Sequence, residues 1–219
     1  MILALALLEA VAALQLGVPS PIAQDTYLRF VGAQREVGLN ELRANAGRYL
    51  GQEVRFTLQL RKTVEDWEPF LSRFGPREWI GVEAWPDELF TWEAEVFADP
   101  APRLFALRGG TAARLLARAK PHARFAVRAR VCEAFLGEPW IEILELEPQP
   151  GEVGPGTILH VERARSLRVE EQWELALEQY ARAKLAPLPP HALAAIEAEI
   201  LDTEEARELD RREQSGPRR

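Results

Sequence analysis

The run YLGQEVRFTLQLRKTV does most to limit what this chain can fold into. In it Val54, Phe56, Leu58 and Leu60 alternate with Arg55, Thr57, Gln59 and Arg61. A period of two is the signature of a strand with one buried and one solvated face. Further strands are predicted at residues 78–85, 103–109, 123–131 and 139–147. Val54, Phe56, Leu58, Phe125, Val127, Ile141 and Ile143 occupy the apolar phases and are expected to share one core. Between the third and fourth strands, TAARLLARAKP predicts a short helix, with Thr111 as its cap, Leu115 and Leu116 on its buried side and Pro121 as its stop.

Three strands, a helix and two strands in that order resemble the OB-fold, a five-stranded partly open barrel, over residues 49–147. The resemblance lies in order and pattern and implies fold rather than function. After the Pro- and Gly-rich linker at 148–156, residues 157–205 predict a helical hairpin and one extra helix. Ala164, Leu167, Trp173, Ala176, Tyr180 and Ala183 fall at the small and large positions of one tetratricopeptide (TPR) repeat. Ala176 marks a close helix contact, with Trp173 and Tyr180 packed beside it. The match departs from the repeat at Glu171, where a turn glycine is usual. A lone repeat cannot bury both faces, so it must dock on the barrel, on the extra helix or on a partner. The fold class expected is therefore α+β, an OB-like barrel with a C-terminal TPR-like hairpin. The combination is similar to a group of uncharacterised bacterial proteins, a resemblance that implies no activity.

Residues 1–16, MILALALLEAVAALQL, are apolar apart from Glu9 and Gln15 and are shorter than the roughly 20 residues that span a bilayer. They read as a signal peptide or short anchor, within a segment 1–23, or else as an N-terminal helix packed on the protein. No Lys or Arg precedes the run, and Pro19 and Pro21 crowd the cleavage positions Ser20 and Ala23. The signal reading favours an extracytoplasmic or membrane-associated location, with membrane contact only through residues 1–17. Residues 24–48 read as a partly helical connector, with Leu39, Leu42 and, two residues past its end, Leu50 as anchors, and residues 206–219 as a charged tail that frays.

Acidic residues outnumber basic ones 34 to 27, a net charge of −7, so the whole molecule repels phosphate backbones and anionic lipid. A single cysteine, Cys132, excludes an internal disulfide and a thiolate metal cluster. His122, His160 and His191 lack metal-ligand spacing, the Gly109–Gly110 pair lacks the P-loop lysine, and no serine sits in a nucleophile elbow. No metal and no cofactor are expected, and a non-enzymatic protein is the reading the residues favour. An enzymatic alternative rests on Asp87, Glu88 or Cys132, the last of these downstream of Arg128 and Arg130.

The stretch from 78 to 99 carries Trp79, Trp85, Phe90, Trp92 and Phe97 with seven acids and no Lys or Arg. Aromatics without cations favour a polypeptide or a small polar or cationic ligand, with Trp79, Trp85, Trp92, Glu83, Asp87 and Glu88 as the candidate surface. At least one tryptophan is then expected to be exposed. The nucleic-acid alternative uses a stripe of Arg55, Arg61, Arg124, Arg128 and Arg130 to bind single strands. Glu142, Glu145 and Glu147 on the neighbouring strand are expected to neutralise it. The chain thus reads as a binding or scaffolding protein with a protein or peptide partner, and nucleic acid as the lesser alternative.

Overall fold

Alternation along residues 53–64 produces a 12-residue strand of the barrel, and the rest of the sheet is organised by its two edges. The computed structural model describes residues 35–67 and 73–215. The signal-or-helix segment 1–23, and the connector before residue 35, lie outside them. Strand β1 (Arg35–Glu36) is followed by α1 (Leu39–Ala44), a 3-10 turn (Ala46–Tyr49), β2 (Glu53–Val64), β3 (Trp79–Pro86), α2 (Ala94–Ala98) and β4 (Ala101–Leu107). Next come α3 (Thr111–Leu116), β5 (Arg124–Phe135), β6 (Glu138–Gln149), α4 (Pro155–Val169), α5 (Trp173–Ala183) and α6 (Pro190–Ser215).

The first half of β2 pairs antiparallel with β5, from Glu53 opposite Arg130 to Gln59 opposite Arg124. Its second half pairs antiparallel with β3, from Leu58 opposite Pro86 to Val64 opposite Gly81. Antiparallel β3–β4 and β5–β6 ladders and a parallel β4–β6 ladder complete the ring, and β1 adds a short parallel edge to β2. The result is a closed five-stranded OB-like barrel followed by three helices, an α+β fold. Each residue placed in the core by its strand phase is buried there: Val54, Phe56, Leu58, Phe125, Val127, Ile141 and Ile143. Ala112, Ala113 and Leu116 of α3 close one end of that core. Thr111 begins α3 rather than capping it, since Gly110 holds the extended position before the helix and the Thr111 hydroxyl accepts from Arg114.

The connector is part of the barrel. Leu39 and Leu42 of α1 and Tyr49 are buried in the barrel core, whereas Leu50, expected as an anchor, is 52% exposed because Tyr49 takes the inward position at the end of the 3-10 turn. Helices α4, α5 and α6 pack around Val161, Ala164, Tyr180, Ala183, Ala192 and Ile196. Ala176 is fully buried, as a close helix approach requires, and Trp173 is half-buried with its indole N–H donated to Asp210. Glu171, between α4 and α5, has φ 58°, the left-handed conformation open to a turn glycine. The tail does not fray at residue 206. Helix α6 runs on to Ser215 because Arg207 and Arg211 pair with Glu174 of α5, and Arg212 pairs with Glu208 one turn earlier. Among the described residues no helix is long and apolar enough to cross a membrane.

Truncating a core aromatic removes both transfer energy and packing. Phe56→Ala is expected to lose about 3 to 5 kcal/mol of unfolding free energy in urea, whereas Leu50→Ala should change it by less than about 0.5 kcal/mol.

Candidate functional site

The aromatic and acidic stretch is not an open surface. Trp85, on the outer face of β3 opposite Gln59, is 2% exposed. Its ring stacks between Phe97 and His122, with centroids 5.3 and 5.0 Å away, and its indole N–H donates to the Phe97 carbonyl. Trp92 is likewise 2% exposed, parallel to Phe90 at 4.5 Å, and belongs to the apolar cluster of Val153, Ile158, Val161 and Tyr180. It is the side chain by which the β3–β4 loop enters the helical core. Trp79 is half-buried, edge-on to Phe74 and Phe105.

The candidate acids of the stretch have partners as well. Asp87 accepts two bonds from Arg124 at 2.6 Å, with both side chains about a tenth exposed, and Arg124 also donates to the Pro150 carbonyl. Glu83 pairs with Arg61 and Lys62, Glu93 with Arg165, and Glu88 accepts the Asn40 backbone N–H at 2.7 Å. The tryptophan surface expected from the sequence is therefore corrected: neither Trp85 nor Trp92 can stack on a ligand, because one seals the barrel wall and the other joins barrel to helices.

The arginine stripe is neutralised across its ladders. Arg128 bonds Glu53 and Glu145, Arg130 pairs with Glu53 and Glu142, Arg124 with Asp87 and Arg61 with Glu83. The Arg128 bond holds the Glu145 carboxyl below the usual range. Arg55 alone in the stripe is exposed with no ion pair among the described residues. Glu147 forms none with the stripe, but Glu53, which the sequence reading did not single out, takes two of its arginines.

Cys132 is half-buried, and burial, reinforced by Glu142, pushes its thiol up to about 12, so it is protonated and a poor nucleophile at neutral pH. Burial also raises Glu142 itself. Asp87 has both oxygens on Arg124. Among the described residues, no group of three or more His, Cys, Asp or Glu is placed to hold a metal ion.

Sequence reading missed an outer-face aromatic cluster. Trp67 and Phe74, from the segment after β2, stack on Phe105 at 5.2 and 4.2 Å, and Trp140 of β6 completes the set. Gly81 makes it possible, since a Cβ there would lie 2.6 Å from the Trp67 ring. Arg108 fastens both ends of the segment, donating to Glu65 and to the Pro76 carbonyl. Only the absence of a side chain at Gly81 within a strand hinted at such a close approach.

The clefts among the described residues include three of about 370 to 510 Å³. One of about 460 Å³ lies between α3, the start of β5, and Ala186 and Pro187. A second of about 510 Å³ is lined by Glu36, Glu88, Phe90 and His191, among others. The third, about 370 Å³, is formed by Arg165, Arg168, Val169, Trp173 and Ala206.

No family model matches the chain, and no curated protein matches it. A crystal structure assigned as an aspartyl-tRNA synthetase from Leishmania major Friedlin is similar at a TM-score of 0.39 and 8% identity, over 70% of this chain. The aligned part spans 33% of that chain. The OB-like assignment rests on the strand order instead.

Trp92→Ala is expected to loosen the helices from the barrel at a cost of about 3 to 5 kcal/mol, read as lost amide-exchange protection in α4 and α6. His122 offers a pH test. Burial lowers its pKa below the usual 6.5, although Glu152 and the Val153 backbone favour the cation. The unfolded chain therefore takes up this proton first as pH falls, and stability is lost from 6.5 down to the folded value. His122→Asn, which tolerates the observed φ of 69°, should make the melting temperature less sensitive to pH below 6.5 than in wild type.

Proposed function

We propose that the chain is a non-enzymatic binding or scaffolding protein that recognises a polypeptide, and that its recognition surface is the helical side rather than the barrel loops. In this reading α4 and α5 form a TPR-like hairpin and α6 stands where the next repeat's first helix would be. The observation that carries it is the cleft at the end of the three helices. Val169, 85% exposed, and the half-buried Trp173 border it beside Arg165 and Arg168. An apolar residue so exposed, next to an aromatic one and two guanidinium groups, has the composition of a recognition site rather than of a solvated helix end. The barrel supports the surface by holding α4 through Trp92 and the Glu93–Arg165 pair.

Affinity capture with the full chain tests this reading. Val169→Glu should weaken partner retention about tenfold or more, while Leu185→Glu, 83% exposed just past the C-terminal end of α5, should leave it unchanged. Equal retention by both variants rejects the helical site. The paired arginines of the barrel lead to a companion expectation, that mixed-sequence single-stranded DNA is not retained even at low salt.

A further inference from the structure

The cleft beside α3 borders a run of the chain that carries cations and no acids. Residues 100–132 hold eight Lys and Arg and no Asp or Glu, in a chain of net charge −7. Five of these cations are engaged. Arg108 pairs with Glu65, Arg124 with Asp87, Arg128 and Arg130 with Glu53, and Arg103 lies over the Trp140 ring. Arg114, Arg118 and Lys120, on α3 and the turn after it, are exposed and have no ion pair among the described residues. Arg114 donates to the Gly109 carbonyl and the Thr111 hydroxyl, neither of them charged.

Arg118 lines the cleft itself. Around it the lining is apolar, from Leu115, Ala119, Ala123, Phe125, Pro148 and Pro187. Leu116 fills the barrel core, whereas Leu115 beside it is half-buried and faces this space. The far wall is fixed in advance. The Glu152 N–H donates to the Pro187 carbonyl at 3.0 Å, and a Cβ on Gly151 would lie 2.8 Å from the Leu188 and Pro189 backbone. The linker and the α5–α6 connection are thus held together, and a ligand does not have to order them. The Glu152 side chain also lines the cleft, but it is exposed and forms no ion pair with Arg118.

An apolar floor with unpaired cations along one rim is complementary to a segment that is apolar on one side and acidic on the other. A nucleic acid would need a ring to stack on, and Phe125, the aromatic residue of the lining, is 4% exposed. We propose that this cleft docks an acidic, leucine-rich segment of another protein. Its apolar side chains rest on Leu115, Ala119 and Pro187, and its carboxylates meet Arg118, with Arg114 and Lys120 beside it. The site is separate from the α4–α6 cleft and does not depend on it.

The test titrates the full chain at low ionic strength with a capped peptide of alternating Leu-Leu and Glu-Glu pairs, followed by amide shifts. Saturable shifts at Leu115, Ala119 and Ala186 support the site. Arg118→Glu should weaken binding roughly fivefold or more, with an unchanged melting temperature because that side chain is exposed. Arg163→Glu, the same charge change at an exposed position of α4, should have no effect, and neither should Val169→Glu, which separates this site from the helical one. The proposal is overturned if the peptide does not saturate, or if Arg163→Glu weakens binding as much as Arg118→Glu does. It is equally overturned if a serine-for-leucine version of the peptide binds as tightly, or if mixed-sequence single-stranded DNA shifts the same amides with comparable affinity.

Discussion

The buried pair between Arg124 and Asp87 is the interaction on which the rest of this structure depends. It joins the first residue of β5 to the residue just after β3, and the same guanidinium reaches the Pro150 carbonyl beyond β6. Three chain segments that leave the barrel at one end are thereby held at one side chain. Removing one partner of such a pair leaves a charge in a poorly solvated place, a loss of about 3 to 5 kcal/mol. The geometric effect is larger in reach than that figure suggests. With Asp87 fixed, the β3–β4 loop can only run toward the helices, which brings Trp92 into their core and Glu93 onto Arg165.

The aromatic residues divide by the gap each one closes. Trp85, Phe97 and His122 cover one outer wall of the barrel, Phe90 and Trp92 fill the joint with the helices, and Trp67, Phe74, Phe105 and Trp140 cover a second wall. A five-stranded barrel encloses a small interior, and here that interior is aliphatic apart from Tyr49, Phe56 and Phe125. Large rings on the outer faces extend the buried apolar area beyond what the barrel alone supplies. This accounts for a loop rich in tryptophan that offers so little to a ligand.

What was legible in the sequence is what a local period records. The strands, their inward phases, the short helix between β4 and β5 and the alanine face of α5 all follow from spacings of two, three or four residues. The ladder partners of the arginines followed in part, because adjacent strands were already ordered. Partners distant in sequence did not. Nothing near Asp87 signals that its counter-charge is Arg124, and nothing near Trp67 points to Trp140. Leu39 and Leu42 lie on a six-residue helix, too short for its apolar period to mark it as part of the core. The end of α6 was missed for a similar reason: its charges read as a solvated tail until Glu174, on another helix, supplies their partners.

The double pairing of β2 sets an order of events in folding. Its second half meets β3 after a connection of modest length, but its first half waits for β5, with Glu53 and Arg130 separated by 77 positions in the chain. Loop-closure entropy makes such a contact late and slow relative to the neighbouring hairpins. During synthesis the β2–β3–β4 meander therefore precedes the ring, and until β5 arrives one edge of β2 stays unpaired. Helices α4 to α6, though each can form locally, acquire their seat only after that seam closes, since Arg124 lies on the strand that closes it.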